Sequence, residues 1–477
     1  AEDAGFAWRC AEAGLLFVGP APEAIATMRS KLEARAVAAG VGVPVLPAEE
    51  VDGYPPGKLE AAAEVLGWPV LVKASAGGGG RGLRIVREND DLVAAVESAR
   101  REATTEFGDG TVFLEPWLGS PRHVEVQVFG DATGRVVHLF ERDCSLQRRH
   151  QKVIEEAPAP RLPQPLREAL HNAAIAVAEA VGFVGAGTVE FLVTDDGFWF
   201  LEMNTGLQVE HPVTEAILGL DLVRMQLAAA EGRPLPVEAR HCTPSGHAVE
   251  ARLYAEDPAA GYVPRSGLLR RFEFSPAPGI RIEAGVASGS VVGGSYEPML
   301  ATVVAHAPSR AEAIRRLAAA LAAMRIHGLR TNRDQLVAAL RRPEFIAGDV
   351  DTGFFDRHHD QLCAPRGGPE AVRLHAAAAA LSRLGSRPGS MSFAGPGGLR
   401  LDVDCRTDAA GSLVEIEVAG RAMPNVRVGP ATAGDVDIEV DGRRRVVGVT
   451  WGPGGIVDVD SALGHTELVI LTPGTPA

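Results

Sequence analysis

Residues 70–87 read VLVKASAGGGGRGLRIVR: an apolar strand pattern, four consecutive glycines and a second strand pattern. Gly77–Gly80 expose backbone N–H groups able to wrap an anion, and Lys73 stands at the end of the incoming strand. The loop does not end in Gly-Lys-Ser/Thr and opens no helix, so it is not a Walker loop. The strand that follows also excludes a dinucleotide-binding fingerprint. Two readings remain, a glycine flap over phosphates or a plain hairpin loop.

The use of lysine favours the flap. Of 47 basic residues only Lys31, Lys58, Lys73 and Lys152 are lysine. A chain that uses arginine wherever any cation serves keeps lysine where a compact ammonium must meet a phosphate oxygen. Lys58, in a polar turn, is the bland exception. Lys152 lies in ERDCSLQRRHQKVIEEAPAP (141–160), where Arg142, Arg148, Arg149, His150 and Lys152 form a local positive patch. A solvated face would look similar, but the lysine favours anion binding.

Next come two strand patterns, GTVEFLVT (187–194) and FWFLEMN (198–204), joined by Asp195-Asp196-Gly197. A three-residue connection places Glu190 across from Glu202 on one face, with Asn204 beside them. Phe191 and Trp199 would mark the buried face. Two carboxylates and an amide oxygen suit Mg²⁺ (or Mn²⁺), which shares its shell with substrate phosphates. A solvated hairpin face is the competing reading. The chain then continues EMNTGLQVEHP (202–212), adding Gln208 and Glu210 around a glycine, Gly206.

Length and composition bound the rest. At 477 residues and 46% hydrophobic, the chain holds two to four domains with proper cores. Its net charge of −14 excludes a general nucleic-acid binder. No apolar run approaches the roughly 20 residues that span a bilayer. Five scattered cysteines without a CxxC pair point to a reducing cytoplasm. The opening AEDAGFAWRC has neither a methionine nor the character of a signal peptide, so a fragment is expected.

The fold class expected is α/β (α+β). Residues 6–20 read as a helix feeding a buried strand that ends at Gly19-Pro20, the remnant (1–20) of a nucleotide-fold subdomain. Residues 23–40 read as one helix closed by Gly40, and 89–108 as a helix with Asn89 as N-cap. Strands dominate 111–204, interrupted by a helix over 163–182. A mixed α/β stretch runs to about 360. An alanine-rich helix (369–384) then leads to a linker, GSRPGS (385–390), and to a small all-β domain with a hairpin turn at Asp441-Gly442.

Taken in order, KASAGGGGRGLR, EPWLGSPRHVEVQVFGD, ERDCSLQRRHQKVIEEAPAP, GTVEFL, LEMNT…QVEHPVTE and HAVEARLYAEDP resemble biotin carboxylase, of the ATP-grasp superfamily, over residues 1 to about 360. Residues 391–477 are less distinctively similar to the β-rich domain of acyl-CoA carboxylase α subunits. The resemblance implies an ATP-grasp domain over 21–234 with a glycine-flap subdomain at about 45–117. It implies a carboxylase C-terminal subdomain over 235–360, a helix and linker over 361–390, and a subunit-docking domain over 391–477. Lys31, Lys73, Lys152 and the flap glycines Gly78, Gly79 and Gly80 would hold ATP phosphates. Glu115, Leu118, His123, Gln147 and His150 would line the adenosine pocket and its surroundings. Glu190 and Glu202 would bind Mg²⁺, with Asn204 beside them. Gln208 and the backbone of Val209 would hold bicarbonate, Glu210 would deprotonate it, and Arg252 would stabilise the biotin enolate. The implied partners are a carboxyltransferase β subunit and a biotin carboxyl carrier domain outside this chain, in an oligomer. Removing 391–477 should abolish association with the carboxyltransferase and leave biotin-dependent ATP hydrolysis unchanged. The competing readings are another ATP-grasp ligase, such as a carbamoyl-phosphate-synthase-like enzyme, and an impaired nucleotide-binding scaffold. Three departures stand out, the first being that the family's first subdomain is reduced to its last helix and strand. Gly206 replaces an arginine that contacts bicarbonate in the family, with Arg84 and Arg281 as conceivable substitutes, and Thr302 replaces a lysine.

Overall fold

The computed structural model describes residues 2–76, 83–88, 91–294, 297–410, 413–429 and 434–472. The flap glycines Gly78–Gly80 and the Asn89 cap lie outside the described residues. The chain forms two compact units, Ala1–Glu250 with His306–Ala313 and Ala347–Arg357, and Ala251–Ala305 with Ile314–Ile346 and His358–Ala477. No helix among the described residues is long and apolar enough to cross a membrane.

The first unit opens with helix α1 (Ala4–Glu12), but the strand expected before Gly19-Pro20 does not form. No neighbouring strand pairs with 15–18 among the described residues, and Leu15, Leu16 and Val18 stay exposed. An isolated strand leaves its backbone groups unpaired. The single helix expected over 23–40 is two, α2 (Pro22–Arg29) and α3 (Lys31–Gly40). They break at Ser30, whose backbone is extended (φ −81°, ψ 112°) and whose hydroxyl accepts from the Glu33 N–H at 3.3 Å. That serine is a good N-cap. The break starts α3 at Lys31, whose backbone N–H reaches the carbonyl of Ser75 at 3.0 Å.

A small antiparallel sheet carries β1 (Val70–Ala74) between β2 (Arg84–Val86) and β3 (Val112–Pro116). Helices α4 (Pro56–Leu66) and α5 (Leu92–Phe107) contribute Leu59, Ala63, Leu92 and Val96 to its core. A larger antiparallel sheet runs β6 (Gln151–Ala157), β5 (Val136–Arg148), β4 (Arg122–Gly130), β7 (Gly185–Thr194) and β8 (Gly197–Asn204). One face packs Val124, Val126, Val189, Phe191 and Met203 on helix α6 (Gln164–Ala180). Period-two alternation therefore sends Glu125, Gln127, Glu190 and Glu202 to the other face. Helix α7 (His211–Leu218) follows β8 directly.

In the second unit, nine antiparallel strands surround the helix Gly368–Leu384. They run in the order Arg421–Ala422, Leu413–Val418, Arg400–Thr407, Gly389–Ala394, Gly464–Leu471, Ile456–Ser461, Arg443–Trp451, Asp435–Val440, Arg427–Val428. The helix, expected outside the β domain, is its core: Ala376–Ala380 are 0% exposed. A helix apolar on all sides must be covered on all sides, and alanine lets strands approach its axis closely. The expected linker shrinks to a turn, because Gly389 and Ser390 already belong to a strand. The hairpin turn at Asp441-Gly442 forms as read, with φ of 49° and 74°.

This nine-stranded sheet is bound within its unit to the segment around Arg325–His327. The Asp460 carboxylate lies 3.0 Å from Arg325, 3.2 Å from Arg333 and 3.2 Å from His327. Asp458 pairs with Arg270 and lies 3.0 Å from His465. Burial alone would raise both carboxyls, but hydrogen bonding and the neighbouring arginines and imidazoles hold them below the usual range.

Candidate functional site

Register builds the site. Arg142 lies opposite Glu125, Glu125 opposite Glu190, and Glu190 opposite Glu202, so four adjacent strands present one row of charge across the sheet. Like charges directly opposite are destabilising, so three carboxylates in one buried row need cations. Lys152, entering from β6, supplies the central one. Its Nζ lies 2.5 Å from Glu125, 2.8 Å from Glu190 and 2.6 Å from Glu210. Arg142 donates to Glu125 at 2.6 Å, and Lys31 donates to Glu202 at 2.9 Å. His123 Nε2 lies 2.7 Å from Glu190, while Gln147 faces its Nδ1 at 2.6 Å.

The electrostatics follow from these partners. Burial would raise Glu190, but Lys152 and His123 outweigh it and hold the carboxyl at about 2. Glu202 is likewise held at about 2, with Lys31 overcoming burial. For Lys152 burial opposes the charge, yet the three carboxylates keep its ammonium protonated well above the ordinary range. Burial would also deprotonate His123, but Glu190 reverses the direction and raises it.

The hairpin β7–β8 reaches the expected pairing by another route. The turn has two residues, Asp195 and Asp196, with Thr194 opposite Gly197, and a bulge between Glu190 and Phe191 restores Glu190 to Glu202. The bulge also makes Phe200, and not Trp199, the core partner of Phe191. Asn204 lies beside the pair and donates to Glu190 at 2.6 Å.

The other predicted residues fall as follows. Lys73 is buried and donates to Glu115 at 2.8 Å, which Arg35 also contacts. Leu118 is half-buried. His150 is exposed in the β5–β6 turn, where Arg149 and His150 both take left-handed conformations (φ 49° and 61°). Gln208 and Val209 are half-buried in the bend before α7, and the Gln208 carbonyl faces His211 Nδ1 at 2.7 Å. Glu210 is fully buried at the N-cap position of α7. Arg252 belongs to the second unit and is 9% exposed. Thr302 is buried in that unit, its hydroxyl without a hydrogen-bond partner among the described residues.

The positive patch at 141–160 is less superficial than its composition suggests, since Arg142 is fully buried. The sequence reading missed Arg35, Glu125, Gln127 and Thr214. A signal for two of them existed: HVEVQVFG alternates valine with His123, Glu125 and Gln127, so its polar residues share a face with Glu190. Neither substitute for the missing arginine is idle, because Arg84 is held by Ser98 and Glu102 and Arg281 by Glu283. A Cβ built on Gly206 meets only the Glu2 side chain, at 3.5 Å, and Gly206 is not in the left-handed region. The position therefore accepts a side chain.

Comparison with known proteins fits this arrangement. Residues 30–238 match the family profile of the carbamoyl-phosphate synthase L chain ATP-binding domain, and residues 250–357 that of the biotin carboxylase C-terminal domain. The biotin carboxylase of Halalkalibacterium halodurans is 46% identical over 358 residues, covering 75% of this chain and 79% of that protein. The chain belongs to the biotin carboxylase family.

Among longer relatives, the mitochondrial methylcrotonoyl-CoA carboxylase subunit alpha of Dictyostelium discoideum is 47% identical over 367 residues. That match covers 76% of this chain and 52% of the relative, so the chain spans about half the length of such subunits. A biotin carboxylase–β,γ-ATP complex from Campylobacter jejuni superposes with a TM-score of 0.71 at 41% identity, covering 75% of this chain and 80% of that one. The biotin carboxylase domain dimer of Hydrogenobacter thermophilus 2-oxoglutarate carboxylase, solved with MgADP, ADP and bicarbonate, gives a TM-score of 0.73 at 37% identity over 76% and 80%. The biotin carboxylase C-terminal match separates the chain from a carbamoyl-phosphate-synthase-like ligase, which the ATP-binding match alone does not.

Proposed function

We propose that this chain carries out the ATP- and bicarbonate-dependent carboxylation of biotin. The observation that carries the reading is the convergence of Glu210 and Glu190 on Lys152 Nζ, at 2.6 and 2.8 Å. A candidate base and a candidate metal carboxylate thus share one ammonium. In this reading Gln208 and the Val209 backbone orient bicarbonate, and Glu210 takes its proton. The bicarbonate oxygen attacks the γ-phosphorus, ADP leaves, and carboxyphosphate forms. Lys31, Lys73, Lys152 and the glycine flap neutralise the charge on the transferred group. The hard-oxygen set of Glu190, Glu202 and Asn204 suits Mg²⁺ or Mn²⁺, which when bound supplies further charge neutralisation. Glu115, Leu118, His123, Gln147 and His150 line the adenosine side. Carboxyphosphate then releases CO₂ and phosphate, the phosphate takes the biotin N–H proton, and Arg252 stabilises the enolate while its nitrogen bonds to CO₂.

Biotin is joined to its carrier through a lysine amide, and no lysine follows Lys152 in the 477 residues. The biotin therefore comes from a carrier domain outside these residues, and the acyl acceptor from a carboxyltransferase partner in an oligomer. The test is ADP release with ATP, bicarbonate and free biotin, omitting each in turn. All three should be required, and Glu210→Gln should lower turnover by about 10²- to 10⁴-fold. ADP release indifferent to biotin would contradict the reading.

A further inference from the structure

Arg142 and Glu125 are both fully buried, and the pair lies one strand from the proposed metal carboxylate. Arg142 Nε donates to Glu125 Oε1 at 2.6 Å. One terminal nitrogen of the same guanidinium donates to Gln127 Oε1 at 2.8 Å and to Thr214 Oγ1 at 2.8 Å. Glu125 and Gln127 belong to β4, whereas Thr214 belongs to α7, the helix whose N-cap is Glu210. The other Glu125 oxygen, Oε2, accepts from Lys152 Nζ at 2.5 Å, and that Nζ lies 2.6 Å from Glu210. Arg142 thus holds Glu210 from two directions, through the helix that carries it and through the Glu125–Lys152 pair that faces it.

We infer that Arg142 is a positioning residue for the base, fixing Glu210 relative to the sheet through Thr214 and Glu125. The inference rests on the reading of Glu210 as the base that deprotonates bicarbonate. A planar guanidinium reaches three acceptors in fixed directions, whereas an ammonium on a flexible stem does not reproduce that fork. Its burial is compensated by Glu125, so the cation remains charged where an unpaired one would not survive. Of the groups proposed to hold the nucleotide, these contacts reach only Lys152, through Glu125, and none reaches the Lys31, Lys73 or Glu115 side. The Thr214 branch reaches Glu210 without passing through Lys152, so its loss should move the base and leave nucleotide binding in place.

The experiment measures bicarbonate-dependent ADP release and, separately, affinity for a fluorescent ATP analogue. The proteins compared are the parent, Thr214→Val, Thr214→Ser, Arg142→Lys and Glu210→Gln. Thr214→Val removes one hydroxyl at nearly constant volume and no charge, so it keeps the test open if Arg142→Lys fails to fold. A misplacement near 1 Å costs up to about a hundredfold in rate. Thr214→Val should lower kcat about tenfold with analogue affinity within about twofold, Thr214→Ser should restore turnover, and Arg142→Lys should lower kcat about a hundredfold. Parent-like kcat in Thr214→Val, with Glu210→Gln inactive, would overturn the positioning role alone. A nucleotide-affinity loss in Thr214→Val equal to its kcat loss would also overturn it. Full turnover in Glu210→Gln, or no bicarbonate-dependent ADP release in the parent, would sink the base reading and this inference together.

Discussion

At the scale of single residues, Lys152 decides whether the row of carboxylates can exist. Removing one partner from a buried charged group costs about 3–5 kcal/mol, because the remaining charge is left uncompensated. Lys152→Met leaves Glu125, Glu190 and Glu210 facing one another, so it should destabilise the protein by roughly that amount in urea unfolding. The sign of the pH effect follows. Against burial, Lys152 is the leading charge that holds the Glu125 and Glu190 carboxyls below their usual range, so its contribution is lost as these groups take up protons, and the deficit should shrink on going from about pH 7 to about pH 4. A deficit that is equal at both pH values would mean that Lys152 stabilises by packing. His375 works in the opposite sense. It is fully buried between Thr466 (2.8 Å) and Ser461 (2.9 Å), and burial, with His465 nearby, holds it at about 3. The unfolded chain binds this proton below about pH 6.5 and the folded protein does not, so stability falls as pH drops through that window. From pH 7 to pH 5 the parent should lose about 2 kcal/mol more than His375→Gln, which can keep both hydrogen bonds. Parallel pH profiles of unfolding free energy would show that the imidazole is not held neutral.

At the scale of elements, much was legible where the pattern is local. The strands around the glycine loop, the β7–β8 pair and the Asp441-Gly442 turn all follow from alternation and turn residues. Lys31 was singled out by its rarity, and Ser30, which breaks the helix and sets the place of Lys31, was visible as an N-cap type but was overlooked. What could not be read depends on distant partners. The bulge that swaps Trp199 for Phe200 is a property of the pair of strands, since either strand alone alternates regularly. The row Arg142–Glu125–Glu190–Glu202 requires the strand order of the sheet, which the chain order β4, β5, β6, β7 conceals. The alanine helix looked like a connector because nothing local states that nine strands enclose it. Much of the site was identified from ordered motifs, whereas Glu125 and Arg142 emerge only from cross-strand register.

At the scale of the whole molecule, the nine-stranded sheet is no detachable appendage of its own unit. Asp458 and Asp460 are counter-charges of Arg270, Arg325 and Arg333, and Arg333 is itself buried. Removing residues 391–477 takes these carboxylates from Arg270 and Arg325 and leaves Arg333 with Asp334 alone, so the expectation of unchanged activity after that deletion is revised. The shortened protein should unfold at lower urea concentration, with Asp460→Asn reproducing part of the loss, about 3 kcal/mol or more. An unchanged urea midpoint would show that this charge cluster contributes nothing. The central claim, that Glu210 and its neighbours activate bicarbonate at a site weakened by Gly206, meets its most direct test in a bicarbonate titration. Initial rates of biotin-dependent ADP release are measured at saturating ATP for the parent and for Gly206→Arg, at a position where an added Cβ meets only the Glu2 side chain. Loss of one member of a buried charge pair costs about 2–5 kcal/mol, or roughly 30-fold to several-thousand-fold in affinity. The account predicts saturable bicarbonate dependence in both proteins, with half-saturation at least about 30-fold lower in Gly206→Arg. Superimposable curves, or rates that ignore bicarbonate, would contradict it.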